Sequence, residues 1–369
     1  MTTALKPSVC PMDCPDTCSL EVEVRDGRVE AIRGSHLNPT TAGFICSKVA
    51  NFTKRLYSPD RLLHPMKRTG KKGEGKFTRI SWQEAADLIC GRFKSIAAEH
   101  GGEAILPYSY GGSNALLGQD TTDLAFFAKL GASRLDRTVC AAPTGAANLG
   151  MYGKMPGVAF EDYEHARFIL IWGGNPKAAN IHLMPFVKKA RANGAKVAIV
   201  DPKLNFSARE YDLHLPVFPG ADLPLALSMI HYWEHNNMLD RGFLEKNAKH
   251  LDMLLERASE WTLDRAAAAA RVSAGDIEKL ACMYHDASPA LVRCGWGLER
   301  NRNGGSAAAA ILAMPALLGK FGVRGGGYTL SNSTAARVNS DALVDAVPWN
   351  TRIINMNVIG RVLLEENHP

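Results

Sequence analysis

The N-terminal stretch sets Cys10, Cys14, Cys18 and Cys46 in the pattern C-x3-C-x3-C-x27-C. Three thiols this close, with a fourth supplied from a distance, can wrap one face of a cubane iron–sulfur cluster and close it from the other side. Helical spacing would also put the first three on one face, but Pro11 and Pro15 directly follow Cys10 and Cys14. A residue before proline is pushed out of the helical region. The segment is therefore expected to be a turn-rich loop that aims its sulfurs at one centre, a redox site. A structural zinc is the competing reading, although such sites usually draw their cysteines from two close pairs. Disulfides are disfavoured because residues 1–8 hold no apolar h-region of a secretory signal.

A chain of 369 residues, 46% hydrophobic and 22% charged, has room for two or three domains and a substantial core. No apolar run approaches a membrane span. The formal charge of +6 is dispersed, so a nucleic-acid partner is not expected. Eight cysteines without a secretory or twin-arginine leader predict a reducing compartment, by default the cytoplasm, with some thiols in metal or catalytic use.

Leu20–Arg25 and Arg28–Arg33 alternate apolar and polar residues on either side of Asp26-Gly27. This predicts a hairpin with a type I′ turn, setting Val24 against Val29 and Val22 against Ala31. Ser58 to Lys76 is rich in Pro, Gly and Lys and reads as a linker. Ser81-Trp-Gln-Glu84 is a capping box opening a helix whose apolar face includes Ile89, Cys90 and Phe93, so Cys90 reads as core. Ile105–Tyr110 reads as a strand leading into the loop Gly111-Gly112-Ser113-Asn114.

From Arg167 onward the pattern becomes strand, loop, helix, strand. Phe168–Trp172 is continuously apolar, as in a parallel strand covered on both faces, and runs into Gly173-Gly174-Asn175-Pro176. A helix carrying Phe186, Val187 and Ala190 stops at Gly194, and Val197–Val200 ends at Asp201-Pro202. An acidic residue there commonly holds a nucleotide, whereas the absence of G-x-G-x-x-G argues against a nicotinamide cofactor. A third strand, Leu213–Val217, leads to Asp222, which is a helix cap, a nucleobase ligand, or both. Leu263–Tyr284 reads as a capped helical pair, Ala290–Cys294 as a fourth strand and Gly305–Leu318 as a helix. Cys282 and Cys294 read as core. The fold class is thus α/β, with a small N-terminal cluster domain followed by a Rossmann-like parallel sheet.

Together the four cysteines with Cys46-Ser-Lys48, Ile80-Ser-Trp-Gln-Glu84, Ile171-Trp-Gly-Gly-Asn-Pro176, Val200-Asp-Pro202, Pro219-Gly-Ala-Asp222, Gly295-Trp-Gly297 and Gly322-Val-Arg-Gly-Gly-Gly327 resemble the bis-molybdopterin guanine dinucleotide oxidoreductases, the dimethyl sulfoxide reductase superfamily. The resemblance implies a molybdenum or tungsten ion on two pterin dithiolenes and a nearby [4Fe–4S] cluster held by Cys10, Cys14, Cys18 and Cys46. It also implies a protein ligand to the metal on the loop Thr138–Thr144, where Cys140 is the candidate and Ser113 and Thr144 are the fallbacks. A soft thiolate suits such a metal. By the same resemblance Gly173, Asn175, Asp201 and Asp222 would contact the guanine dinucleotide, and Lys48 would lie between cluster and pterin. Two-electron chemistry on a small-molecule substrate would be coupled to one-electron flow toward a partner protein. Formate dehydrogenases of the family carry histidine after the ligand; Ala141 stands there, which argues against formate.

The expected domains are an iron–sulfur domain over 1–57, an α/β domain begun by 58–137 and continued by 331–369, and a guanine dinucleotide-binding domain over 138–330. The family's second nucleotide-binding half and C-terminal β-barrel are missing, and Arg352–Leu364 reads as a helix leading into that half. A second chain supplying it is one expectation. The alternative to a catalytic portion is a non-catalytic module that binds a cluster or cofactor and turns nothing over.

Overall fold

Asp26 and Gly27 take positive φ values of +48° and +79°, as a two-residue type I′ turn requires, and join strands Ser19–Arg25 and Arg28–Gly34. The computed structural model that contains this hairpin describes residues 3–110, 121–155, 157–206, 208–331 and 347–365. Val24 faces Val29 as expected, but the register shifts between Glu23 and Val24, so Val22 pairs with Ile32 and not with Ala31. A bulge of this kind puts one extra residue on one strand. Thr3–Val9 adds a third, antiparallel strand along Ser19–Arg25. The sequence pattern missed it because its residues are mostly exposed, which leaves no apolar alternation to read. Pro7 is tolerated on such an edge.

The chain divides into two units, one of Met1–Asp13, Thr17–Arg137 and Arg337–Pro369, the other of Cys14–Asp16 and Thr138–Ala336. In the first, the stretch expected as a linker contains a short hairpin, Met66–Arg68 with Phe77–Arg79. The Ser81 hydroxyl then accepts the Glu84 N–H at 3.1 Å while Glu84 accepts the Ser81 N–H at 2.7 Å, closing the predicted capping box of helix Trp82–His100. Phe93 packs against Phe126 and Phe127. Cys90, in contrast, is exposed rather than core, because no described residue covers that side of the helix.

Ile105–Tyr110 is irregular and not a strand: Pro107 has no N–H to pair, and Ile105 makes one bond across, from the Ser133 N–H. The loop Gly111–Asn114, with Ser113, lies outside the described residues. Near the chain's end, Ile353–Asn355 pairs in parallel with Arg134–Asp136 before the short helix Ile359–Val362. The expected helix over Arg352–Leu364 therefore begins as a strand; β-branched Ile353 and Ile354 favour it.

The second unit is built on a parallel five-stranded sheet in the spatial order Gly327–Thr329, Ala290–Cys294, Phe168–Trp172, Lys196–Val200, Leu213–Leu215. Alternate residues of the central strand enter opposite cores. Phe168, Leu170 and Trp172 face helix Asp222–His235 and its neighbours, whereas Ile169 and Ile171 face helix Leu183–Ala192. That explains its unbroken apolar run. Thr262 and Ser273 cap the helices Leu263–Ala270 and Ala274–Asp286. The order reverses between Phe168–Trp172 and Ala290–Cys294, and at such a switch point the loops leaving the strands diverge and open a crevice.

Candidate functional site

Two loops leave the carboxyl ends of the switch-point strands and touch. The Gly295 N–H donates to the Trp172 carbonyl at 2.7 Å, and the Gly297 N–H to the Gly173 carbonyl at 3.1 Å. The approach is tight enough that a Cβ on Gly295 would lie 2.2 Å from the Gly173 oxygen. Gly173 itself sits at φ +62°, a region that side chains disfavour. Asn175 follows on the same loop, and its buried Oδ1 has no hydrogen-bond partner among the described residues.

Two carboxylates border this crevice. Asp222 is buried; its Oδ1 accepts the Trp172 indole N–H at 2.8 Å. It is the first residue of its helix, with Ala221 at the cap, so of the two roles expected from sequence the cap falls away. Asp201 accepts the Lys203 N–H at 2.8 Å. Burial pushes both carboxyls above their usual range, and Asp201 raises Asp222 further. The loop before Asp222 is tied in by Asn303, which donates to the Gly220 carbonyl at 2.9 Å. Gly173, Asn175, Asp201 and Asp222 thus all lie at one edge of one sheet. A set of acceptors such as this suits a ligand with a donor-rich base.

Cys140 stands in the same unit, half-buried, at φ +58°. Arg300 brings Nη2 to 3.8 Å from its sulfur, whereas Arg324 pairs with Asp162 on the surface. Thr144 is buried, with its N–H donated to Glu299 Oε1 at 2.9 Å; that disfavours it as a ligand relative to the more open Cys140. Sequence spacing carried no signal for Glu299, which is distant along the chain. Cys294 is fully buried, and burial pushes its thiol up to about 12; it is a core residue.

In the first unit Cys10, Cys18 and Cys46 share a small core with Leu20 and Val49. The Cys10 N–H donates to the Cys18 carbonyl at 2.9 Å, and the Met12 N–H to Cys10 Sγ at 3.4 Å. N–H donation to sulfur suits a thiolate ligand. Lys48 is exposed on the helix Ser47–Ala50 that starts after Cys46. Cys14 falls in the other unit with Asp16. There Asp16 accepts from Asn180 Nδ2 at 2.5 Å and pairs with His182 Nδ1 at 3.0 Å, while Arg293 Nε donates to Asn180 Oδ1 at 3.2 Å. All four residues are buried.

Two family profiles match the chain, one described as the molybdopterin oxidoreductase Fe4S4 domain over residues 3–58 and one as molybdopterin oxidoreductase over residues 61–362. They imply a [4Fe–4S] cluster and a molybdenum–molybdopterin cofactor. The chain is 37% identical to the probable oxidoreductase YoaE of Bacillus subtilis, over 98% of this chain and 54% of that protein. It is 29% identical to the dimethyl sulfoxide reductase DmsA of Haemophilus influenzae, over 86% of this chain and 44% of that one. The structure of acetylene hydratase from Pelobacter acetylenicus aligns with a TM-score of 0.70 at 28% identity, covering 86% of this chain and 44% of that chain. The chain therefore spans about half the length of the curated relatives it matches. Among the described residues no helix is long and apolar enough to cross a membrane.

Proposed function

The chain belongs to the molybdopterin oxidoreductases, and from that premise we propose that it carries the cluster-binding and first nucleotide-binding parts of a catalytic subunit. Cys140 is the protein ligand to molybdenum or tungsten, Gly173, Asn175, Asp201 and Asp222 hold a guanine dinucleotide of the bis-pterin cofactor, and Cys10, Cys14, Cys18 and Cys46 hold the cluster. Lys48 lies between the two centres. When bound, these groups supply two-electron redox chemistry at the metal and one-electron transfer at the cluster.

The single observation that carries the proposal is the convergence, in one unit, of the switch-point crevice with Cys140. Arg300, within hydrogen-bonding reach of the Cys140 sulfur, follows directly on the loop that begins at Gly295. The residues present fit the cofactor: Asn175 Oδ1 is buried without a donor among the described residues, and half-buried Asp201 and buried Asp222 are acceptors. A guanine edge offers N–H donors to such carboxylates. Trp172 occupies one oxygen of Asp222 and so orients the carboxylate. Ala141 places no imidazole beside Cys140, which sets formate aside as substrate. The substrate is a small molecule that gains or loses two electrons, and the electrons are exchanged with a partner protein. A further chain or segment supplies the other half of the site. The enzyme is assigned to the cytoplasm, in keeping with its eight cysteines.

The test is anaerobic purification with quantification of Fe, Mo, W and Zn per polypeptide. About four irons with stoichiometric Mo or W are expected. Cys140→Ala should keep the iron and lose the Mo or W. Zinc alone would overturn the redox assignment, and a Cys140→Ala protein that kept both metal and activity would overturn the ligand.

A further inference from the structure

The helix Ala142–Tyr152 starts two residues after Cys140 and has no cap of its own, since Ala141 stands at the cap position and Pro143 has no N–H. The Thr144 N–H, which the first turn leaves without an intrahelical acceptor, is taken at 2.9 Å by Glu299, 155 residues further along the chain. Elsewhere in the same unit Thr262 and Ser273 cap their own helices. Here, in contrast, the cap is brought in from the crevice loop.

Arg300, next to Glu299, reaches the Cys140 sulfur. The segment carrying both is stiff: the Asn301 N–H bonds Leu298 and the Gly304 N–H bonds Asn301 at 3.3 and 3.1 Å, and a Cβ on Gly304 would meet the Leu298 carbonyl at 2.4 Å. Cys140, at φ +58°, occupies a region that non-glycine residues adopt only when their surroundings hold them there. Glu299 Oε2, Thr144 Oγ1 and Asn148 Oδ1 are buried without hydrogen-bond partners among the described residues, so the carboxylate has been placed there at a cost.

We propose that Glu299 is the positioning residue for Cys140: it caps the Cys140 loop from the crevice side and, through Arg300 beside it, holds the sulfur where the metal is received. The inference rests on the assignment of Cys140 as the metal's protein ligand. What matters is the reach of an acceptor to the Thr144 N–H, not the negative charge, and two variants separate these. Glu299→Gln keeps the reach and removes the charge; Glu299→Asp keeps the charge and shortens the reach by one carbon.

The full chain and both variants are produced with molybdenum, purified anaerobically, and measured for Fe and Mo per polypeptide and for the electron paramagnetic resonance signal of the pentavalent metal. Glu299→Gln should keep wild-type Mo content and g values. Glu299→Asp should bind Mo about tenfold less tightly or give shifted g values, with iron retained. The proposal is overturned if Glu299→Asp matches wild type in both readouts, or if Glu299→Gln fails as Glu299→Asp does. Cys140→Ala alongside separates the two assignments: full Mo in that variant sinks the ligand itself, whereas Mo loss there with none in Glu299→Asp sinks only the clamp.

Discussion

Asp222 is a carboxylate buried at the mouth of the crevice with the Trp172 indole as its side-chain donor. Burial raises it above its ordinary value of 3.8, and the Trp172 bond only partly opposes the rise. A group whose folded value is raised contributes stability that is fully present below its unfolded value and is lost as pH rises through the folded one. At neutral pH the ionised Asp222 therefore weakens the cofactor-free fold. Asp222→Asn keeps an oxygen for the indole and removes the charge. It should raise the melting temperature of the metal-free chain by roughly 2 °C at pH 7, with the gain fading as the pH falls through the raised folded value and gone below the ordinary 3.8. Thermal melts across that range decide it; an equal or lower melting temperature at pH 7 would contradict the burial argument.

At the scale of elements, the crevice depends on two loops lying closer than side chains allow. Gly295 has an extended backbone at φ −108°, so its requirement for glycine is purely steric: an added Cβ meets the Gly173 oxygen at 2.2 Å and Gly174 Cα at 2.5 Å. Backbone cannot swing aside as a side-chain tip can. Gly295→Ala should cost about 2–3 kcal/mol and break the Gly297 to Gly173 bond. Gly150, inside a helix with no atom within 4 Å of its added Cβ, is the contrasting case, and Gly150→Ala should stabilise by about 0.5–1 kcal/mol. Urea midpoints of both variants test this together; similar shifts for the two would mean that the loop contact is not what sets the requirement.

At the scale of the molecule, the segment Cys14–Asp16 lies with residues far along the chain. Asp16, Asn180, His182 and Arg293 form a buried polar network, and Arg293 also donates to the Leu330 carbonyl at 2.9 Å. Removing one member of a buried charged set leaves the others desolvated and unpaired. Asp16→Ala should lower stability by about 3 kcal/mol and reduce the iron retained by the purified chain. Calorimetry and iron analysis check it; unchanged stability would mean the network contributes nothing net.

Local signals were legible wherever neighbours in sequence are neighbours in space. The Asp26-Gly27 turn, the Ser81–Glu84 capping box, the apolar strand Phe168–Trp172 and the cap Ser273 each depend on residues within a few positions of one another. The close spacing of Cys10, Cys14 and Cys18 is local in the same way, and the family followed from such motifs in order. Periodicity failed where burial depends on what lies opposite, as at exposed Cys90, the shifted Val22 register and the edge strand Thr3–Val9. Only tertiary structure could bring Glu299 to Thr144, Arg300 to Cys140 and Asp16 to Asn180, pairs separated by 155, 160 and 164 positions. A hydrogen bond has no memory of sequence distance. Residue types and local spacing determined which chemistry this chain can carry, and the sheet's strand order decided which of those residues stand together.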